Sequence, residues 1–144
     1  MNVVDSSGWL EYFAGGPNAN FFAKPIEATT ELVVPTLSLY EVFRKIAQQR
    51  GDGDALQAVA VMQQGKVVDL SSTLALSAAQ LSMQLSMPMA DSVILATARA
   101  AAAVLWTQDA DFATVPGVRY VAKKSGAADP VRRSSRAGRS RGNA

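Results

Sequence analysis

The stretch Val104-Leu105-Trp106-Thr107-Gln108-Asp109-Ala110-Asp111-Phe112 decides how this chain folds. Its apolar start reads as a short buried strand, which ends at a threonine followed by two aspartates one residue apart. Such a strand delivers negative charge to the rim of a sheet, and in open α/β sheets that rim is where ligands bind.

Working outward, the pattern of strand followed by helix repeats. Asn2-Val3-Val4 is a strand short enough to need a central position, and it runs into Asp5-Ser6-Ser7. Ser6 or Ser7 can cap the next helix, whose apolar face is Trp9, Leu10 and Phe13. A further helix is expected around Asn20–Ala28, weakened by Pro25 in its interior. Glu31–Val34 forms the second strand, stopped by Pro35, and a helix with Leu39, Val42, Phe43 and Ile46 on one face spans about Thr36–Arg50. Asp54 can cap a helix over Ala55–Gln64, and Lys66–Leu70 is the third strand.

Thr73–Met87 fits two periods. Leu81, Met83, Leu85, Met87 and Met89 alternate as in a strand, whereas Leu74, Ala78, Leu81 and Leu85 make a helical stripe. Length and alanine content favour the helix. The leftover methionines then form a sticky outer face or fill the core. After Pro88 comes a helix over Ala90–Ala103, the strand Val104–Thr107, a one-turn helix over Asp109–Thr114 and a last strand at Val118–Val121. This alternation predicts an α/β fold: a central parallel β-sheet with helices on both faces.

Composition narrows the chemistry. The 144 residues suit a single domain with a real core, and 49% are hydrophobic. With no cysteine, disulfides and thiolate metal sites are excluded. With no histidine, the commonest general acid–base residue is missing, so any hydrolysis must run on carboxylates, metal ions, Lys, Ser or Tyr. The N-terminus has no basic run before Asp5, and the longest apolar stretches fall well short of a membrane span, which predicts a soluble cytoplasmic protein. Seven of the 14 Lys/Arg and one of the 12 Asp/Glu lie from Lys123 onward, so that segment carries +6 and residues 1–122 carry −4. Residues 1–122 are therefore read as the domain and 123–144 as a basic tail, with 125–144 expected to be disordered. Arg132, Arg133, Arg136, Arg139 and Arg141 of that tail either contact RNA phosphates or do nothing beyond being solvated.

Chain direction gathers the acids. In a parallel sheet, helix N-termini and strand C-termini share one rim. Asp5 and Asp109 follow strands, Glu41 lies early in a helix that follows a strand, and Asp91 opens the helix feeding Val104–Thr107. All four converge on one edge, with Asp111 close by. Each also has a structural reading: Ser38-Leu39-Tyr40-Glu41 has the capping-box pattern, and Asp5, Asp91 and Asp109 precede helices they could cap. The set carries more weight than any member, because carboxylates on one rim repel one another unless cations neutralise them. Oxygen-only ligands select Mg²⁺ or Mn²⁺, ions that support phosphodiester hydrolysis without histidine.

Val4-Asp5-Ser6-Ser7, Glu41 in a helix after Val34-Pro35, Asp91-Ser92-Val93-Ile94-Leu95-Ala96-Thr97-Ala98 and Thr107-Gln108-Asp109-Ala110-Asp111-Phe112 resemble the four blocks of PIN-domain ribonucleases. Over about residues 1–122, size and spacing resemble the VapC toxins of bacterial toxin–antitoxin pairs. The resemblance implies a PIN-like fold and a Mg²⁺- or Mn²⁺-dependent endoribonuclease, with Asp5, Glu41, Asp91 and Asp109 around the metal. Asp5 and Asp91 would be the principal ligands. Asp111 is a secondary candidate, and Ser7 and Thr107 match hydroxyl positions that hold these carboxylates. It further implies an RNA substrate such as transfer or ribosomal RNA, a homodimer, and a VapB-like antitoxin that blocks the acidic groove. The arginine-rich tail departs from the family's core pattern. Two alternatives stay open: a PIN-like module that binds RNA or protein without cleaving, and a PIN nuclease outside toxin–antitoxin systems. Receiver-type and haloacid-dehalogenase-like readings fit poorly, because Asp5 is followed by Ser6-Ser7 where either would need a further acid.

Overall fold

A computed structural model describes residues 1–124. The expectations placed on 125–144, disorder and RNA contact by its arginines, lie outside the described residues.

Five short strands build one wholly parallel sheet: β1 (Asn2–Val4), β2 (Leu32–Pro35), β3 (Lys66–Val68), β4 (Val104–Thr107) and β5 (Val118–Tyr120). Their order is β3-β2-β1-β4-β5. Around them lie α1 (Ser6–Ala14), α2 (Ala19–Glu27), α3 (Thr36–Arg50), α4 (Asp52–Met62), α5 (Ser72–Leu85) and α6 (Met89–Ala100).

Successive side chains of a strand point to opposite faces, so a strand apolar at every position must be covered on both. Val3, Val33 and Leu105 pack with Leu74, Ala78 and Leu81 of α5 and Ile94 and Leu95 of α6. Their neighbours Val4, Leu32, Val34 and Trp106 pack on the other face with Trp9 of α1, Phe22 of α2, Val42 and Ile46 of α3 and Met62 of α4. The expected arrangement, helices on both faces of a parallel sheet, is therefore the one observed. Phe112 is fully buried in the first cluster and anchors the 3-10 turn Ala110–Phe112.

Several local expectations shift. Pro25 sits inside α2 without ending it, two residues before the helix stops. Its ring is buried, and the helix closes before more than one ladder bond is lost. Strand β2 begins at Leu32, because Thr29–Glu31 forms a 3-10 turn, and it runs through Pro35. Helix α4 starts at Asp52, so Asp54 lies in its first turn and caps nothing. Strand β3 ends at Val68, before Asp69 and Leu70. The ambiguous segment is helical, and its methionines divide. Met83 and Met89 are exposed while Met87 is buried. Where α1 crosses α2, a Cβ on Gly8 would lie 2.5 Å from the Phe22 ring, so the crossing requires glycine.

The fold also fixes where a ligand belongs. The chain steps from β1 outward through β2 to β3, then returns to β4 on the other side of β1. The sheet order thus reverses between β1 and β4, and a crevice opens beyond their C-terminal ends. No helix among the described residues is long and apolar enough to cross a membrane.

Candidate metal centre

Asp5 is the first residue past β1 and Asp109 lies two residues past β4, directly at that reversal. The two strand ends are tied together, since the Asp5 N–H donates to the Trp106 carbonyl at 3.0 Å. Asp91 occupies the first turn of α6, Glu41 the second turn of α3, and Asp111 the 3-10 turn. Asp5, Glu41, Asp91 and Asp109 all line one groove of about 400 Å³, together with Ser6, Ser7, Tyr40, Arg44 and Lys45. The four carboxylates expected on one rim are brought together.

The tightest cluster differs from the pair expected to dominate. Carboxylate oxygens of Asp91, Asp109 and Asp111 lie within 4.8 Å of one another. Asp111, expected to be secondary, is thus within reach of a shared ion, whereas Asp5 stands deeper and is 4% exposed.

Hydroxyls organise the buried acid. Ser7 Oγ and Thr107 Oγ1 both donate to Asp5 Oδ2 at 2.8 Å. Thr107 Oγ1 in turn accepts the Asp109 backbone N–H at 2.9 Å, so one buried hydroxyl sets the positions of two acids. Ser6 Oγ donates to Glu41 Oε1 at 2.6 Å. This last contact had no signal in the sequence beyond adjacency to Asp5.

The capping readings resolve individually. Ser6 and Ser7 lie within α1 and give their hydroxyls to carboxylates, while Asp5 at the N-cap makes no side-chain capping bond. The capping box does not form: Ser38 is fully buried inside α3 with Oγ unpartnered, and Glu41 turns to Ser6 instead. Asp109 does cap, accepting the Asp111 N–H at 2.9 Å. A second carboxylate oxygen leaves that role compatible with binding an ion.

Electrostatics show what the cluster lacks. Asp91 is pushed up to about 7, first by partial burial and then by Asp109, Asp5, Asp111 and Glu41. Asp5 is also raised, chiefly by burial; the Ser7 and Thr107 hydrogen bonds pull it down and Asp109 pushes it up. Every charge that shifts Asp91 is a carboxylate, and no cation among the described residues offsets them there, although Arg44 and Lys45 line the same groove.

Behind the acids lies a polar tie that sequence inspection missed. Buried Gln108 accepts from Asn18 Nδ2 at 2.9 Å and reaches Glu11 Oε1 at 3.4 Å and the Ser7 carbonyl at 3.5 Å. Asn18 also donates to the Ala122 carbonyl at 3.1 Å. These bonds fasten the loop bearing Asp109 to α1 and, through Asn18, to the segment after β5 at Ala122. Only the tertiary arrangement reveals them, because their partners are up to 104 residues apart.

The PIN domain family model matches residues 3–118. No curated protein matches the chain in sequence. Among solved structures, the chain is similar to a toxin–antitoxin complex from Klebsiella pneumoniae, at 22% identity over 82% of this chain and 95% of that one, with a TM-score of 0.69. It is also similar to VapC20 of Mycobacterium tuberculosis, described as a sarcin-ricin loop cleaving toxin, at 18% identity over 85% and 100% of the chains and a TM-score of 0.71. A third is VapBC2 from Rickettsia felis bound to a promoter DNA fragment, at 12% identity over 84% and 97%, with a TM-score of 0.66. At these identities, what the structures share with this chain is the fold.

Proposed function

The chain belongs to the PIN-domain family, and on that premise we propose that it is a Mg²⁺- or Mn²⁺-dependent endoribonuclease acting as the toxin of a type II toxin–antitoxin pair. The observation that carries the reading is the acidic rim with Asp91 held near 7, a site whose charge asks for a divalent cation. The donor set fits: it is all oxygen, three carboxylates lie within reach of one ion, and hard cations prefer such ligands. Asp91, Asp109 and Asp111 would hold the ion, with Asp5 and Glu41 completing the charge around it. Bound there, Mg²⁺ or Mn²⁺ supplies water activation and offsets charge building on a phosphoryl group.

The chain's own residues do the rest. Ser7 and Thr107 fix Asp5, Ser6 fixes Glu41, and Thr107 holds the Asp109 backbone, so these acids are held in place at the rim where the ion would bind. Arg44 and Lys45, lining the same groove, receive RNA phosphates that the acids alone would repel. The antitoxin complexes among the similar structures support a VapB-like protein partner. A homodimer and a structured ribosomal or transfer RNA target belong to the same reading.

The test is Asp5→Asn, which removes one charge with little change of shape. The purified variant should keep its fold and lose RNA cleavage in Mg²⁺ or Mn²⁺; cleavage at the wild-type rate refutes the site. Expression with and without the neighbouring open reading frame, followed by mapping of RNA ends, tests the toxin role. Growth arrest that the neighbour fails to relieve counts against it.

A further inference from the structure

Next to the acidic groove, on the outer side of α3, lies a second trough of about 670 Å³ that the proposed chemistry leaves unused. Its floor is carbon, made by the half-buried side chains of Leu39, Phe43 and Ala47 from α3 and Val59 from α4. Tyr40 and Arg44 belong to both walls, lining the apolar trough and the acidic groove alike. Tyr40 is 63% exposed, unusual for a ring with so much apolar surface beside it. Arg44 follows one helical turn later and therefore sits beside it, while Lys45 follows Glu41 in the same way. Over about one and a half turns, then, α3 presents an acid to the metal site, two cations, and an aromatic ring lining an apolar shelf.

Resting on the nuclease reading, we propose that Tyr40 is a stacking shelf for an unpaired nucleobase of the RNA, adjacent to the phosphate held at the acids, with Arg44 and Lys45 taking the intervening backbone. Continuity decides for nucleic acid over an apolar peptide. Arg44 lines the carboxylate groove and the trough alike, with Lys45 in the groove, so a phosphodiester chain leaving the first for the second passes a cation shared by both. A base offers a flat apolar face to the ring and shelf, whatever its identity. The site therefore selects for single-stranded or splayed-out nucleotides beside the cut, which duplex RNA cannot supply.

The test uses the full chain in Ca²⁺ and two fluorescent ligands of equal charge: a decamer of riboadenylate and a decamer of abasic ribose phosphate. Tyr40→Ala should weaken binding of the adenylate decamer by about tenfold. It should leave the abasic decamer unaffected, and Tyr40→Trp should restore adenylate binding. Arg44→Ala should weaken both ligands and lower the salt slope by about one. Equal binding of adenylate by wild type and Tyr40→Ala overturns the shelf, as does equal weakening of both ligands. So does an effect of Tyr40→Ala confined to capture of the antitoxin. Cleavage of RNA in Mg²⁺, measured in parallel, separates the two failures. A wild type that cuts RNA while Tyr40→Ala proves neutral sinks the shelf alone, whereas a wild type that neither binds nor cuts RNA sinks the nuclease reading and the shelf with it.

Discussion

Without metal, the acidic rim should make this protein less stable as pH rises, and Asp91→Asn should remove most of that dependence. Asp91 moves from 3.8 in the unfolded chain to about 7 in the fold. A raised value means the folded state holds the proton more tightly. The group's contribution is therefore fully present below 3.8 and is lost as pH climbs through about 7. At ~1.4 kcal/mol per unit the whole shift would be worth ~4 kcal/mol. Asp91 is only half-buried, and screening by water reduces that to about 2 kcal/mol. Urea unfolding in EDTA at pH 5 and pH 8 reads more than half of it, about 1.2 kcal/mol, which corresponds to roughly 3–7 °C in melting temperature for a domain of this size. Asn keeps the shape and cannot ionise, so the variant should be more stable than wild type at pH 8, by a margin that narrows to less than half at pH 5. The residual slope belongs to Asp5, raised in the same direction. Millimolar Mn²⁺ should flatten the wild-type slope, adding about 2–3 kcal/mol at pH 8 if the ion stands near a hundredfold above its Kd. An Asp91→Asn variant with the wild-type slope, or a stability indifferent to Mn²⁺ at pH 8, refutes the electrostatic account of the rim.

Thr107→Val replaces the hydroxyl that serves Asp5 and the Asp109 N–H by a methyl group, which should cost about 1–3 kcal/mol in urea unfolding and impair cleavage, while Thr107→Ser retains both. Wild-type stability in the valine variant would show that the bridge does not hold the acids. Gly8→Ala drives a Cβ into the Phe22 ring and should destabilise by about 1–3 kcal/mol; an unchanged denaturation midpoint would mean α1 and α2 separate freely. Ala102, an exposed residue at φ 51 between α6 and β4, should gain roughly 0.5–1 kcal/mol on replacement by glycine, since relief of the left-handed strain exceeds the added chain entropy. A lower melting temperature for Ala102→Gly would contradict that balance.

The elements were legible because their causes are local. The fully apolar strands at Val3-Val4, Leu32–Val34 and Val104–Trp106 and the helical stripe of α3 follow from periodicity, and β4 and α3 fall where their residues put them. The gathering of Asp5, Glu41, Asp91 and Asp109 was legible for the same reason: in a parallel sheet the direction of each connection fixes the rim on which its ends lie. What the hydroxyls do was legible only in part. Ser7 and Thr107 could be paired with carboxylates by position, but Ser6 with Glu41 joins residues 35 apart whose meeting depends on how α1 lies against α3.

From the sequence alone came the chemistry available: acids without histidine, strands that need two covers, and a chain direction that sends the acids to one edge. Sequence-local rules could not say which acids stand closest, because separations of a few ångströms depend on helix placement across the sheet. Only the fold drew Asp111 toward Asp91 and Asp109, sank Asp5 beneath two hydroxyls, and buried Ser38 where a cap was expected. It alone set Tyr40 on the border between an acidic groove and an apolar trough. Periodicity along a chain specifies which side chains share a face, whereas charge, burial and reach at a site are properties of what the other elements bring to it.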